Sequence, residues 1–271
     1  MSYFEVLNLQ KEPFSTSPDP FFFYRSSAHE TAIKRLEITT RLRRGLSLIL
    51  GDVGTGKTTL GRTLLQSFNE EEDFILHMIL DPTFKSEFQF LSSLAKMFGV
   101  SRGLKSTLDY KDAIEKYLFQ KGVDEGKTII LLIDEGQKLT PTFLEILRTL
   151  LNYETNEYKL LQLVILAQIE LLPRIKRIRN FFDRITLKYI INPLDEYETG
   201  DMIEYRLKKA GYNGGERLFS SGAVRLVHEH TMGYPRKIAM LCHNALEELV
   251  MRDKKFVDET LMLNVIRNEV V

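Results

Sequence analysis

The chain has 271 residues, of which 44% are apolar and 27% are charged, proportions that are ordinary for a water-soluble protein. This length suits one large domain or two modest ones. Lysine plus arginine and aspartate plus glutamate both number 37, so the net charge gives no argument for a nucleic-acid or membrane partner, although a local basic face is compatible with that balance. The single cysteine, Cys242, excludes an internal disulfide and indicates a reducing compartment.

No segment of the sequence predicts targeting to a membrane or insertion into one. The first residues lack the basic and apolar regions of a secretory signal, and no apolar run approaches the ~18 residues that a membrane-spanning helix needs. We therefore expect a soluble, cytoplasmic protein, which reaches the inner membrane, if at all, through a partner.

The first 27 residues are rich in aromatic side chains and turn formers, including Pro13-Phe14 and the run 21–24. Because so many aromatic rings are rarely solvated, we expect an extended arm packed on the core. Two roles fit this arm: a structural clasp, or a lid against the adenine base if the segment that follows binds a nucleotide. Ser27 as N-cap, with Glu30 three residues later, predicts that a helix starts here.

The next stretch fits the phosphate-binding pattern G-x-x-x-x-G-K-[ST] at every fixed position. It consists of Gly51, Asp52, Val53, Gly54, Thr55, Gly56, Lys57, Thr58 and Thr59. An apolar strand leads into it and a helical pattern follows, so loop N–H groups and a helix N-terminus can point at phosphate oxygens. Lys57 would reach the β- and γ-phosphates, and the Thr58 hydroxyl would ligate Mg²⁺. The pattern favours binding of a nucleoside triphosphate over an ordinary glycine turn.

A second informative stretch runs from Thr128 to Glu135. Five large apolar residues predict a central parallel strand buried on both faces, and two carboxylates follow at its carboxyl end, where ligands bind in open parallel sheets. In a nucleotide site, Asp134 would hold Mg²⁺ through water and Glu135 would polarise the attacking water. The alternative is a strand whose last residues simply turn acidic at the surface.

A third apolar strand, 160–167, ends at Gln168. This side chain could touch the γ-phosphate or the attacking water, or it could be a simple strand-end residue. A basic segment follows, which is either a solvated face or the source of an arginine that projects into a neighbouring subunit's nucleotide. Its members are Arg174, Lys176, Arg177, Arg179 and Arg184. The alternating run 185–191 predicts the final strand.

The remaining pattern completes an α/β nucleotide-binding domain with a helical C-terminal part. Helices are predicted over 28–44, 88–98, 110–120, 141–151, 195–210, 220–230, 234–252 and 257–267, and strands over 46–50 and 74–80. We expect three parts: an N-terminal arm over 1–27, a nucleotide-binding domain over 28–191 and a helical lid domain over 192–271.

These motifs occur in the order of an AAA+ ATPase, and Gly233-Tyr234-Pro235-Arg236 resembles the G-x-P-R sensor 2 motif of that superfamily. The resemblance implies a P-loop NTPase fold with a parallel sheet flanked by helices and a C-terminal all-helical lid. It also implies ATP and Mg²⁺ as ligands, Gln168 as sensor 1 and Arg236 as sensor 2. Arg184 would be the arginine finger, acting in trans within a homo-oligomer.

Several stretches resemble the ExeA/GspA family of secretion-associated ATPases more narrowly. They are Tyr3-Phe4-x-x-Leu7, Pro13-Phe14, Pro18-Asp19-Pro20, Phe23-Tyr24, His29-Glu30, residues 51–60, Asp134-Glu135-Gly136-Gln137, Phe182-Asp183-Arg184-Ile185 and Pro235-Arg236. The resemblance implies an ATP-hydrolysing protein whose nucleotide state drives oligomer assembly or partner remodelling in secretion or pilus machinery. Longer members continue into a membrane span and a peptidoglycan-binding region, so we expect either a separate membrane or secretion-system partner or a different role for this chain. The sequence Ala167-Gln168-Ile169-Glu170 departs from the family's tendency toward Gly-Gln-Pro-Glu.

Two alternatives stay open. Short transposition ATPases of the TnsC, TniB and MuB types share this core, and a DNA-binding accessory could use the basic residues of this chain, although the zero net charge does not support DNA as a partner. These residues are Arg41, Arg43, Arg44, Lys85, Arg102, Lys105 and the cluster from Arg174 to Arg179. The other alternative is a nucleotide-gated switch with weak turnover, against which an intact Glu135 argues.

Overall fold

A five-stranded parallel sheet is the centre of the fold, and a computed structural model describes it within residues 3–269. The strands are β1 (Leu46–Gly51), β2 (Phe74–Ile79), β3 (Thr128–Ile133), β4 (Leu161–Ala167) and β5 (Ile185–Ile191). Their spatial order is β2-β3-β4-β1-β5, and every neighbouring pair is parallel. Every residue of β1, β3 and β4 is buried, because strands covered on both faces are apolar throughout. The predicted parallel sheet is confirmed.

The described residues divide into two compact units. The sheet unit comprises 30–52 and 60–191, and the helical unit comprises the described parts of 1–29 and 192–271 together with 53–59. The domain bounds expected from the sequence stay a prediction. No helix within the described range is both long and apolar enough to cross a membrane.

Helices flank the sheet at the positions that the sequence predicts, with two short additional helices after β4. They are α2 (Ser27–Arg41), α3 (Lys57–Phe68), α4 (Glu87–Met97), α5 (Thr107–Phe119), α6 (Pro141–Leu150), α7 (Leu171–Lys176) and α8 (Arg179–Phe182). Local chemistry fixes several starts: Ser106 and Asp109 form a capping box at α5, and Thr140 caps α6 ahead of Pro141. Gly61 of α3 has no room for a side chain, because a Cβ there would lie 2.6 Å from Leu166 Cδ1.

The start of α2 differs from the prediction by one residue. Ser27 is the first helical residue rather than the N-cap, and its hydroxyl donates to Glu198 Oε1 at 3.0 Å. The hydroxyl oxygen of Ser26 instead accepts a long hydrogen bond from the backbone N–H of His29 at 3.5 Å.

The C-terminal helices have their own core in the helical unit. This unit contains α1 (Tyr3–Val6), a 3₁₀ turn (Pro20–Phe22), α9 (Glu196–Lys209), α10 (Ser221–Thr231), α11 (Pro235–Met251) and α12 (Glu259–Glu269). The N-terminal arm packs on these helices: Phe14 is fully buried and meets Phe219 edge to face, and the Tyr3 hydroxyl lies 3.1 Å from His243 Nδ1. The arm is therefore part of the helical core.

Candidate functional site

The sheet brings three functional strand ends to one edge. β4 lies between β1 and β3, with Leu50 paired to Ala167 and Ile133 paired to Ile165. Because all three strands are parallel, the residues that follow them emerge at the same carboxyl edge, where open α/β sheets bind ligands. At this edge lie Gly51 as the last residue of β1 and Asp52 after it, Asp134 and Glu135 after β3, and Gln168 after β4.

The acidic pair after β3 has a specific backbone conformation. Asp134 is buried, and its Oδ1 accepts the N–H of Glu135 at 2.9 Å. Glu135 has φ 52° and ψ 35°, the left-handed region that residues with a side chain rarely occupy. Gly136 is required next, because a Cβ there would lie 2.4 Å from Ile165 Cγ2 on β4. The turn after β3, which begins with Glu135, therefore packs directly on β4.

Gln137 is a site residue whose importance the sequence analysis missed. Its Nε2 donates to Glu135 Oε2 at 2.7 Å, and its Oε1 accepts the backbone N–H of Gln168 at 3.1 Å. Arg174 belongs to the basic segment that the sequence left open as a solvated face or a source of an arginine in trans, and it donates to the backbone carbonyls of Gln137 at 2.6 Å and Leu139 at 2.7 Å. The motif Asp-Glu-Gly-Gln was the available signal, but no spacing rule connects residue 137 with 168.

The phosphate-loop residues of the helical unit have the conformation that the motif needs. Gly54 and Gly56 have φ of 84° and 92°, and α3 begins at Lys57. These positive φ values curl the backbone, so that consecutive N–H groups and the helix N-terminus can point to one anion. Lys57 is 9% exposed and Thr58 is half-buried. The geometry of this loop fits a phosphate group, and Thr58 and Asp134 are the residues expected to hold Mg²⁺.

His29 supports the phosphate loop from the N-terminal side. Its Nε2 lies 2.8 Å from the carbonyl oxygen of Thr55, which can only accept, so Nε2 carries a proton. Its Nδ1 lies 2.7 Å from Ser26 Oγ. The rings of His29 and Phe23 pack edge to face, with their centroids 5.0 Å apart. Burial lowers the pKa of His29, which favours the neutral ring with Nδ1 as acceptor. The His29-Glu30 pair was noted in the sequence without a role.

Arg236 contacts the same loop through its backbone. Its N–H donates to the carbonyl oxygen of Gly54 at 3.2 Å, one residue after Pro235 starts α11. Gly233 precedes this helix with φ 72°, and a Cβ there would lie 1.9 Å from the carbonyl oxygen of Leu194, so only glycine fits. The Gly-x-Pro-Arg sequence is therefore explained by local packing except for the arginine side chain, whose role as sensor 2 stays a prediction.

Arg184 is not brought together with the other site residues of the sheet unit. It directly precedes β5, and β5 begins beside Leu46 and ends beside Gly51. Seven residue steps separate Arg184 from Ile191, and at ~3.3 Å each they place Arg184 about 23 Å from the carboxyl edge of the sheet. Its guanidinium donates to the Asn180 carbonyl at 2.8 Å and to Asn152 Oδ1 at 2.5 Å.

Comparison with known proteins identifies relatives by sequence. A profile described as an AAA domain matches residues 40–175. General secretion pathway protein A of Aeromonas hydrophila is 34% identical over 250 residues, which are 90% of this chain and 44% of that protein. The chain thus spans less than half the length of this relative.

Solved structures with low sequence identity share the fold. The Aeropyrum pernix ORC1 protein in complex with DNA has a TM-score of 0.66 at 18% identity, covering 96% of this chain and 69% of that one. The Aeropyrum pernix ORC2 protein has a TM-score of 0.66 at 15% identity, covering 90% and 67%. The RuvB branch migration motor of Thermotoga maritima has a TM-score of 0.61 at 14% identity, covering 92% and 73%.

Proposed function

Because this chain belongs to the AAA domain family, we propose that it binds ATP with Mg²⁺ and hydrolyses the γ-phosphate to drive oligomer assembly or remodelling of a partner. The observation that carries this proposal is the shared carboxyl edge of β1, β3 and β4, at which a complete phosphate loop, an Asp-Glu pair and Gln168 follow neighbouring strands. If Asp134 and Glu135 were only an acidic surface turn, they would have no reason to follow a strand that lies beside the strand ending at Gln168.

The roles of the chain's residues follow from their chemistry. Lys57 and the loop N–H groups would bind phosphate oxygens, and Thr58 and Asp134 would hold Mg²⁺. Bound Mg²⁺ supplies Lewis-acid stabilisation of charge on the phosphoryl oxygens. Glu135 orients a water molecule and accepts its proton as the water oxygen attacks the γ-phosphorus, while the bond to the bridging oxygen breaks and ADP leaves. Gln168 and Arg236 are proposed to contact the γ-phosphate.

Arg184 is proposed to act on the nucleotide of a neighbouring copy. Its position at the amino end of β5, about 23 Å of strand away from the edge where β1 reaches Gly51, supports a role at a neighbouring copy's site rather than at its own. A cation supplied in trans stabilises transition-state charge and makes hydrolysis depend on assembly. The active form is therefore a homo-oligomer.

The cellular role is proposed from the named relative. The General secretion pathway protein A of Aeromonas hydrophila suggests work on secretion machinery, with a partner at the inner membrane and this chain on the cytoplasmic side. A second candidate is ATP-dependent binding of DNA, favoured by one observation: Lys176, Arg177 and Arg179 are exposed, and within the described residues no ion pair involves them. Such a cationic segment suits a phosphate backbone.

Mixing two inactive variants tests the shared active site. R184A lacks the finger and E135Q lacks the base, and each alone should hydrolyse ATP slowly. In an equal mixture, roughly a quarter of the interfaces combine an intact base with an intact finger, so the rate should recover to about that fraction of wild type. N152A is the matched control, because it removes the same Arg184 contact but keeps the finger.

The rate per wild-type subunit should also rise with protein concentration, and sedimentation should show larger species in ATP. Stimulation by duplex DNA would favour the DNA-binding candidate over the secretion role. A concentration-independent rate from a monomer, with no recovery on mixing, would contradict action in trans.

A further inference from the structure

The carboxylate of Glu135 is held by the side chain of Gln137. The Gln137 amide donates to Glu135 Oε2 at 2.7 Å and accepts from the Gln168 backbone N–H at 3.1 Å. We infer that Gln137 is a positioning residue for hydrolysis, which orients the Glu135 carboxylate and ties it to the end of β4. This inference rests on the proposed function, since it assumes that Glu135 orients the attacking water.

The orientation of the Gln137 amide follows from its partners. A carboxylate oxygen can only accept and a backbone N–H can only donate, so the amide nitrogen must face Glu135 and the amide oxygen must face Gln168. The reversed amide would place two acceptors together on one side and two donors together on the other. The side chain therefore has one arrangement that satisfies both contacts.

The turn that carries Gln137 is itself fixed on several sides. The two hydrogen bonds from Arg174 hold the carbonyls of Gln137 and Leu139, and Lys138 pairs with Asp81 Oδ2 after β2 at 2.9 Å. Gly136 lies directly against β4, where even a methyl group would not fit. The amide of Gln137 thus projects from a rigid segment and can hold a neighbour in place.

Glu135 needs such a holder because its side chain has three rotatable bonds and its backbone is in the left-handed region. Fixing Oε2 leaves Oε1 in a defined direction, so the entropy cost of aligning the base with its water is met before ATP arrives. A general base that is misplaced by about 1 Å loses about a hundredfold in rate. We therefore expect loss of Gln137 to lower kcat 10- to 100-fold.

The second hydrogen bond of Gln137 links the base with the end of β4. Gln168, whose N–H it accepts, is the residue proposed to contact the γ-phosphate. The two strand ends that would face the reacting phosphate are therefore joined by a single amide. Its loss should affect the chemical step more than the binding of ATP.

The experiment compares Q137A with wild type in the full chain, measuring kcat, KM and the affinity for a fluorescent ATP analogue. Q137A should lower kcat 10- to 100-fold and change analogue affinity less than threefold. A merely structural role would lower the fraction of folded protein and leave both kcat and analogue affinity per folded molecule at their wild-type values.

Gln162 provides the matched control. Its amide also joins two backbone groups, accepting from Gly45 at 2.8 Å and donating to Lys159 at 2.7 Å, but at the amino end of β4. Q162A should lower thermal stability while leaving kcat per folded molecule within twofold of wild type. Equal losses of kcat per folded molecule in Q137A and Q162A would overturn the inference.

The E135Q variant distinguishes a failure of the inference about Gln137 from a failure of the proposed function. If E135Q abolishes hydrolysis and Q137A stays within twofold of wild type, the positioning role is wrong and the proposed function stands. If E135Q hydrolyses ATP at the wild-type rate, the assignment of the base is wrong, and the inference about Gln137 falls with it.

Discussion

The imidazole Nε2 of His29 lies 2.8 Å from the carbonyl oxygen of Thr55, so a residue of the first long helix supports the backbone of the phosphate loop. The ring is almost completely buried, and its other nitrogen is bound to Ser26 Oγ at 2.7 Å. A Cβ on Gly56 would come within 3.1 Å of the same Nε2. Thr55 and Gly56, two consecutive residues of the phosphate loop, therefore lie directly against the His29 ring.

Replacing His29 with alanine should weaken nucleotide binding. Loss of this hydrogen bond removes a buried support of the loop, at a cost of about 1–2 kcal/mol, so we expect a 5- to 30-fold higher Kd for ATP. H29Q, whose amide nitrogen can replace Nε2, should recover much of this affinity. The measurement is titration with a fluorescent ATP analogue.

H243A is the control for this prediction, because His243 also contacts the N-terminal segment, through Tyr3, but lies two helical turns beyond Arg236. It should leave the Kd for ATP within twofold of wild type. An H29A variant that binds as tightly as wild type would contradict a supporting role for the ring.

A methyl group on Gly54 should abolish tight nucleotide binding. Gly54 has φ 84°, and a Cβ there would lie 3.0 Å from Arg236 Cβ, so G54A strains the loop and pushes against the start of α11. We expect at least a 30-fold loss of ATP affinity, from about 2 kcal/mol or more of strain and lost N–H geometry. Calorimetric titration with ATP and Mg²⁺ measures it.

G99A is the control for G54A, because it introduces an alanine at another positive φ that lies outside the phosphate loop. Gly99 has φ 75°, but open space surrounds the position of its missing Cβ. G99A should therefore lower the free energy of unfolding by about 1 kcal/mol and leave ATP affinity unchanged. Equal binding losses in both variants would indicate a global rather than a local effect.

The sequence predicted the strands and the carboxyl edge well because both depend on local pattern. Continuous apolar runs identified β3 and β4, and the residues after them are determined by parallel strand direction. His29 and Gln137 were not predicted as supports, because their partners lie 26 and 31 residues away and no periodicity relates them. The contacts of Arg174 were not predicted either, because its partners are backbone carbonyl groups, which every residue carries.

Arg206 anchors the N-terminal arm in the helical unit. Its guanidinium donates to the carbonyl oxygens of Phe22 at 3.1 Å, Ser15 at 3.2 Å and Pro13 at 3.4 Å. R206M keeps the aliphatic packing but leaves these carbonyls without a donor, so we expect a loss of about 2–4 kcal/mol in the free energy of unfolding. Trypsin should also cleave at exposed Lys11 faster than in wild type.

The arm prediction has a direct control in R217M. Arg217 makes an exposed ion pair with Glu204 at 2.7 Å, and exposed pairs contribute little, so the variant should lose less than about 0.5 kcal/mol. Unchanged cleavage at Lys11 in R206M would show that other contacts hold the arm.

His77 should make the stability of the sheet unit depend on pH. The ring of His77 packs on that of Phe98, with the two ring centroids 4.8 Å apart. Burial lowers the pKa of His77 from 6.5 to about 4. Between these values the unfolded chain binds a proton that the native protein does not, so the free energy of unfolding falls as the pH falls from about 6.5 toward 4. Above pH 7 both states are neutral at this residue and the contribution is constant.

H77F removes this proton while keeping a ring against Phe98. The slope of unfolding free energy against pH should therefore be smaller than in wild type by up to about 1.4 kcal/mol per pH unit, measured by urea denaturation between pH 7.5 and 4.5. Carboxylates and His29 contribute equally to both proteins, so the difference isolates His77. Parallel slopes would contradict this prediction, because they would mean that His77 accepts a proton in the native protein as readily as in the unfolded chain.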